Sequence, residues 1–399
     1  MTNFDDYSPF CSATEMEYIK GLASKLHGLT ANTVTTAAYG GGVAELLNRV
    51  LPLLTSLGLQ IERRNLSMPK EFLDVAKHIY NGLRDSGIEV TREMIQKFLS
   101  YSATIKEQAD RPCDLLFIHD HHPITLIESK NYQKAIWRCH VDTSHPDENV
   151  WKFLRSFVDL YDAAVFSLPS FSGELSIPTF SLMPSIDPLS DKNKPLPPQF
   201  VQEVYDKYNI PRGKPVIMQI SRFDALKDPL GVIEVYEDVK KDFDCILVLA
   251  GGHASDDPTA QKVYGQVVER AAQTSGVYVL LLEHNDLEVN ALQRGADIIL
   301  QKSIKESFGL TITEALWKQK PVVATETGGI PLQIIEGQTG LFSVSNKTCA
   351  TQIKRLLRDK NLQFELGIGG HKLVRENFLI TRHVRDLLII FCKVMNVSF

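Results

Sequence analysis

The sequence predicts an α/β protein made of two Rossmann-like, doubly wound domains. Three observations carry that prediction. Short runs rich in β-branched residues recur without polar alternation, as expected of parallel strands buried on both faces. Segments with helical spacing separate them, as in right-handed βαβ units. A stretch rich in proline and charge, PLSDKNKPLPPQF, interrupts this rhythm within residues 188–213 and reads as a linker. Single domains usually run about 100–200 residues, so a chain of 399 residues is expected to hold two. We place the first at 1–190 and the second at 206–377, with a hinge near 184–215.

In the second half the strand candidates are VIMQI (216–220), CILVLA (245–250), VYVLLL (277–282), DIILQ (297–301) and VVA (322–324). Helical patterns fill 229–241, 258–273 and 286–295 between them, and another precedes them at 198–208. The first half is less regular. LLFIH (115–119), AIWRCHV (135–141), AAVFS (163–167) and TFSLM (179–183) are its strand candidates. Residues 43–54 align Val43, Leu46, Leu47, Val50, Leu51 and Leu54 on one helical face, with a kink expected at Pro52. LTANTVTTAA, before that helix, is a poor strand by composition and is assigned one only because a glycine run and a helix come next in the chain. Residues 378–397 form a last helix with a broad apolar face.

Composition narrows the function classes. Hydrophobic residues make up 44% and charged residues 23%, and the net charge is −5. No broad basic face for nucleic acid and no polybasic membrane anchor is expected. The six cysteines show no CxxC spacing and several lie in apolar runs, which reads as buried, reduced thiols. MTNFDDYSPFCSATEM is not a signal peptide, and no window approaches the ~18 apolar residues of a membrane span. A cytoplasmic protein is expected.

Four segments carry chemistry. In AAYGGGVAELL (37–47), Gly40, Gly41 and Gly42 open a helix. Such a start lets backbone approach a ligand and offers free N–H groups to an anion or to sugar oxygens; taken alone, a glycine run reads first as a tight turn into a helix. QISRFDALKDP (219–229) comes after a strand and places Arg222 and Lys227 on a loop at the carboxyl end of a sheet, where open α/β sheets bind ligands. Two cations there could neutralise a diphosphate leaving group, or simply be solvated charge.

The third segment, KSIKESFGLTITEALWKQKPVVATETGGIP (302–331), sets Glu306 in a strand-end loop and Gly309, Leu310 and Thr311 at a helix start. Their amides could meet phosphate or sugar hydroxyls. Glu314, two turns on, could accept hydrogen bonds from a ribose diol, and Gly328 and Gly329 form the next strand-end loop. Either glutamate alone could be part of a solvated helix face. The fourth segment joins IHDHHP (118–123) to WRCHVDTSHP (137–146). It crowds five histidines with Asp120 and Asp142 at successive strand ends. No metal-ligand spacing is present, so polar groups lining a sugar pocket are the better reading.

The order GGGVAE, HDxxP, WRCHxD, SRFDxxK, ExFGLTxTEA and GGI resembles the retaining GT-B glycosyltransferases of family four. WRCHVD, SIDPLSDKN and VNALQRGADIILQKSIKESFGLTITEALWKQKPV look like the trehalose glycosyltransferring synthases, with trehalose phosphorylases sharing much of the pattern. The resemblance runs from about residue 33 to 380. It implies two Rossmann-like domains facing a cleft, an acceptor-side first domain and a final helix, 378–399, that crosses back to it. It implies that Arg222 and Lys227 hold the nucleotide diphosphate, that Glu306 binds the transferred glucose and that Glu314 binds the ribose. Gly41 and Gly42 would approach the sugar or phosphate, with His140 beside the reacting centre and Asp120 and Asp142 on the sugar side. Retention would follow from front-face attack within an ion pair, the leaving phosphate helping to take the acceptor proton.

The resemblance implies a hexosyltransferase acting reversibly on NDP-glucose and glucose to give α,α-trehalose. The donor would be UDP- or ADP-glucose, with no tightly bound cofactor or metal and with Mg²⁺ admitted only as a companion of the nucleotide. Partners would be small sugars and sugar nucleotides; a homodimer is allowed. A trehalose phosphorylase and a non-catalytic sugar-nucleotide-binding protein are the alternatives. The chain's departures from the family pattern are Ser307, at a position often held by glycine, Ala225-Leu226 before Lys227 in place of Pro-Trp, the polar first strand, and the two histidines of HDHHP where Gln or similar residues are more familiar.

Overall fold

The computed structural model describes residues 3–36, 42–84, 87–252, 258–282 and 285–398. The chain divides into two compact units, Met1–Ser185 with Ile380–Phe399, and Ile186–Leu379. The strands are β1 Thr30–Thr35, β2 Gln60–Asn65, β3 Cys113–His119, β4 Tyr132–Arg138, β5 Ala163–Phe166 and β6 Thr179–Ser181 in the first unit. The second has β7 Val216–Ile220, β8 Ile246–Gly251, β9 Val277–Leu281, β10 Ile298–Gln301, β11 Val322–Thr325 and β12 Leu341–Ser343. The helices are α1 Ala13–Lys25, α2 Gly42–Ser56, α3 Lys70–Arg84, α4 Arg92–Leu99, α5 Ser102–Ala109, α6 Glu148–Val158, α7 Pro198–Lys207, α8 Pro229–Lys240, α9 Pro258–Ala272, α10 Asp286–Gly295, α11 Leu310–Trp317, α12 Asn346–Arg358, α13 Lys360–Asn377 and α14 Ile380–Val394.

Each unit holds a parallel six-stranded sheet. The orders are β2-β1-β3-β4-β5-β6 and β12-β11-β10-β7-β8-β9. Alternate strand residues feed the two faces of the first sheet. Leu115, Phe117, Ile136 and Val165 pack with α1, α2 and α14, while Leu116, Ile118, Trp137 and Phe166 pack with α3 to α6. Burial on both faces is why these strands read as unbroken apolar runs. In each sheet the chain reverses its direction of travel once, at β1/β3 and at β7/β10. Such switch points open a crevice beyond the strand ends. The glycine run and HDHHP come after β1 and β3; Arg222, Lys227 and Glu306 come after β7 and β10.

The polar β1 is a central strand, paired on one side with β2 and on the other with β3. Its backbone is therefore satisfied twice, and its side chains find specific partners. Asp114 Oδ2 accepts from the Thr30 amide at 2.9 Å and from the Thr30 hydroxyl at 2.6 Å. The buried Asn32 amide donates to Ala109 O at 2.7 Å. The Thr30 hydroxyl, helped by the Thr30 amide, holds the Asp114 carboxyl below its ordinary range. Asp114→Ala should destabilise the fold by about 1 kcal/mol, a low figure for a carboxylate that accepts from the amide and hydroxyl of Thr30 and from Gln133, because Asp114 is half-exposed. A depressed carboxyl contributes stability above its unfolded value, about 3.9, and loses it as pH falls through the folded value. Denaturant midpoints at pH 7 and pH 3 should therefore differ less in the variant than in the native chain; an equal difference would remove this role.

The stretch read as a linker is anchored within the second unit. Asp187, Ser190 and Asn193 are buried. Asn290 on α10 donates to the carbonyls of Asp191 and Lys194, each at 2.8 Å, and Lys318 reaches Asn193 Oδ1 at 3.0 Å. Proline and charge mark a loop here, but the loop's carbonyls are claimed by buried donors. The chain then returns to the first unit through α14, which packs against α1 and α2. Arg382 on α14 donates to the carbonyls of Met183 and Pro184, both at 3.0 Å.

Candidate functional site

In the second unit the loops after β7 and β10 are tied together by one buried side chain. Gln219 donates to Lys227 O and accepts from the Lys302 amide, each at 2.9 Å. Lys227 sits in a short 3-10 turn capped by Asp224. This turn brings Lys227 Nζ into an ion pair with Glu306 Oε2, and both side chains are largely shielded from solvent, at 15% and 12% exposure. Glu306 Oε2 also lies 3.3 Å from the Ser303 hydroxyl and 3.5 Å from the Gln301 amide. Asp228, in the left-handed region at φ 47°, caps α8 and pairs with Lys302. Arg222 stands apart. Its side chain is 71% exposed, with Asp224 at 3.7 Å.

The Glu306 loop is braced by the glycines after β11. Gly328 has φ +54°, and a Cβ there would fall 1.5 Å from Glu306 O. Gly309, at φ +87°, opens α11 with no side chain capping it. The first amides of the helix, at Leu310 and Thr311, thus lie at an uncapped end that favours anions. Glu314 is buried on the same helix. Gln293 lies 3.4 Å from its Oε2 and Lys192 3.9 Å from its Oε1.

In the first unit, β3 and β4 end side by side, and Asp120 joins them. At φ 59° it adopts the left-handed region. Its amide donates to Arg138 O at 2.8 Å, its carbonyl accepts from Trp137 Nε1 at 2.8 Å, and its Oδ1 accepts from the His140 amide at 2.9 Å. Burial pushes the Asp120 carboxyl up to about 6, against the His140 amide and the Arg138 charge. His140 Nε2 lies 2.9 Å from His119 Nδ1, with the rings stacked at 16°. Burial, then Arg138, hold His119 at about 3 and His140 well below the ordinary histidine value. Both rings are therefore neutral at neutral pH.

The histidines do not line one pocket. His121 is fully buried, its Nε2 beside Ala76 O at 2.9 Å, and its ring packs on Phe98 and His122. His145 is exposed. Among the described residues no group of three or more His, Cys, Asp or Glu is placed to hold a metal ion. Asp142 Oδ1 accepts from the amide and hydroxyl of Ser144 in a local turn. Gly42 heads α2, whereas Gly41 lies outside the described residues.

Residues 33–173 match the family model described as trehalose synthase, N-terminal domain, and residues 201–372 match glycosyl transferases group 1. The trehalose synthase of Pyrococcus horikoshii is 37% identical over 394 residues, covering 96% of this chain and 94% of that protein. The chain belongs to the trehalose synthase family. This trehalose synthase family member is a hexosyltransferase of the GT-B fold. It is also similar to a trehalose phosphorylase of Pleurotus pulmonarius, 26% identical over 384 residues, 82% of this chain and 52% of that protein. A sucrose-phosphate synthase structure from Thermosynechococcus elongatus superposes with a TM-score of 0.69 at 15% identity, covering 93% of this chain and 100% of that one. No helix among the described residues is long and apolar enough to cross a membrane.

Several residues at these sites are not singled out by the sequence: Gln219, Gln301, Ser303 and Lys192. Two of them left a signal. A glutamine stands next to last in β7 and another ends β10, and these two strands are neighbours in the sheet. A polar residue at the carboxyl end of a buried strand is placed where ligands bind.

Proposed function

We propose that this protein transfers glucose from a nucleoside diphosphate glucose to glucose, with retention, to give α,α-trehalose, and that the reaction runs in both directions. The observation that carries this reading is the shielded Lys227–Glu306 pair at the β7/β10 switch point. In the proposal, Lys227 and Arg222 meet the diphosphate, whose charge grows as the glycosidic bond breaks. Arg222, exposed and loosely held, turns onto the phosphates when they arrive. Glu306 exchanges its Lys227 contact for hydroxyls of the transferred glucose. The α11 amides at Leu310 and Thr311 receive phosphate or sugar oxygens, and Glu314 accepts from the ribose diol. The sugar side is assigned to His140, with its ring neutral, to Asp120 and Asp142, and to the backbone at Gly41 and Gly42. No side chain is required as a nucleophile; attack on the departing face lets a phosphate oxygen take the acceptor proton.

Glu314 favours a nucleotide over inorganic phosphate, because a buried carboxylate fixed beside Gln293 suits a neighbouring diol and would repel free phosphate. Product analysis tests this. Incubation with trehalose and UDP or ADP should yield the corresponding NDP-glucose, measured by anion-exchange chromatography. Trehalose with phosphate should yield no glucose 1-phosphate. Glucose 1-phosphate in place of NDP-glucose would establish a phosphorylase, and no product from either mixture would leave a binding protein.

A further inference from the structure

We propose that His119 is a positioning residue that holds His140 in the Nδ1–H tautomer, so that His140 presents a neutral hydrogen-bond donor to the sugar. The proposal rests on the functional reading above for the identity of the acceptor, but not for the pairing itself. His119 Nδ1 and His140 Nε2 lie 2.9 Å apart. Two neutral rings in that contact share one proton, which leaves two arrangements. Either His119 donates from Nδ1 and His140 carries its own proton on Nδ1, or His140 donates from Nε2 and His119 carries its proton on Nε2.

The surroundings of His119 separate the two. His119 is 2% exposed, and its Nε2 is buried without a hydrogen-bond partner. Nε2 has no partner for either a proton or a lone pair, so burial alone does not choose between them and the neighbouring charges do. The formal charges acting on it are the guanidiniums of Arg138 on β4 and Arg63 on β2. Positive neighbours oppose an N–H dipole directed at them and favour a lone pair. The same holds around His140, where Arg138, the neutral ring of His119 and the neutral His383 on α14 are the facing groups, with Asp120 bound to its amide. The first arrangement is therefore favoured, with the proton of His119 on Nδ1 and that of His140 also on Nδ1.

The backbone supports the same assignment. Asp120, in the left-handed region, binds the His140 amide and the Arg138 carbonyl. That fixes the start of the loop after β4, and the stacked His119 ring fixes the imidazole. His140 is half-buried, whereas His119 is enclosed. One ring is placed to meet a ligand and the other to orient it, as the partner on one ring nitrogen sets the tautomer of a histidine.

The test is nitrogen-detected NMR of the full chain labelled with ¹⁵N-histidine, with the His140 signals identified by their absence in His140→Gln. Native His140 should show a protonated Nδ1 and a bare Nε2. In His119→Phe, which keeps an enclosed ring but removes the donor, Nε2 of His140 should become protonated. Its kcat should fall about 10–100-fold, the usual effect of removing an orienting partner, while nucleotide affinity stays unchanged. His119→Asn keeps an N–H near the Nδ1 position and should recover most of both the tautomer and the rate. A native His140 protonated on Nε2 would overturn the proposal. So would a loss of rate in His119→Phe with the His140 signals unchanged, or equal losses in the Phe and Asn variants. The expected spectra in a protein that converts no trehalose would support the pairing and remove the functional reading instead.

Discussion

Lys227→Ala is expected to lower kcat by about 10²–10³, equivalent to roughly 3–4 kcal/mol of transition-state stabilisation, while nucleotide affinity changes far less. The reason is where charge develops. Nucleotide is bound before the bond breaks, with Arg222 and the uncapped α11 terminus still present. In the proposed reaction the added negative charge on the leaving diphosphate would appear only as the bond breaks, and the shielded Lys227 ammonium would meet it in a site of low effective dielectric. Glu306→Gln probes the other partner. It keeps the shape but removes the charge and makes half of an acceptor into a donor. Glucose transfer should fall by a comparable factor with nucleotide affinity nearly intact. Steady-state kinetics with a separate measurement of nucleotide affinity decide it. Near-native turnover in both variants would mean that the pair is structural.

Gly328→Ala should have the largest effect of any single methyl group in the second unit. At φ +54° an L-residue is disfavoured by about 1–2 kcal/mol. The new Cβ would lie 1.5 Å from Glu306 O, so the Glu306 peptide must move. Overpacking of this kind costs a further 1–3 kcal/mol or so. Displacing a binding group by about 1 Å can reduce rate by about 10², so kcat should fall with stability. Gly337→Ala is the control. Its φ is +73°, but a Cβ there meets nothing within 4 Å. It should show the backbone penalty alone and near-native turnover. Denaturant midpoints that are equal in the two variants would show that the Gly328–Glu306 approach is unimportant.

The sheets are legible in the sequence where burial is two-sided. The runs of β7, β8, β10 and β11 are buried almost throughout, so their composition carries their environment, whereas VYVLLL is legible although β9 lies at the edge and is mostly half-buried. β2 is not legible. QIERRN sits at the sheet edge, largely open to solvent, and has no apolar run to betray it. No element is expected from the sequence between β2 and β3, although α3 has a strong apolar face through Phe72, Val75, Ala76, Ile79 and Leu83. β1 is assignable only from its context, because its burial depends on Asp114 and Ala109, far away in the chain.

The site residues of each unit divide in the same way. Arg222, Lys227, Glu306 and Glu314 stand in recognisable local motifs. That Lys227 should meet Glu306, 79 residues on, depends on β7 and β10 being neighbours across the switch point. Strand order is not written in either motif. The histidine-rich segments read as one polar lining because composition does not tell which way a side chain turns. The left-handed turn at Asp120 separates His119 and His140 from His121, whose ring goes to the core between α3 and α4.

The interrupted chain path of the first unit bears on how the protein is made. Its sheet is complete by Ser185, but α14 arrives only after the continuous second unit. Val384, Leu387, Leu388 and Phe391 of α14 belong to the core on one face of that sheet, and Phe391 meets Phe117 edge-on at 5.5 Å. At synthesis rates of ~5–20 residues per second, the intervening stretch takes about 10–40 s to emerge. For that interval the part of the face that α14 covers is bare, with only α1 and α2 translated to lie on the rest, while the continuous second unit waits for no later segment. Protection from aggregation is therefore needed most by the half that leaves the ribosome first.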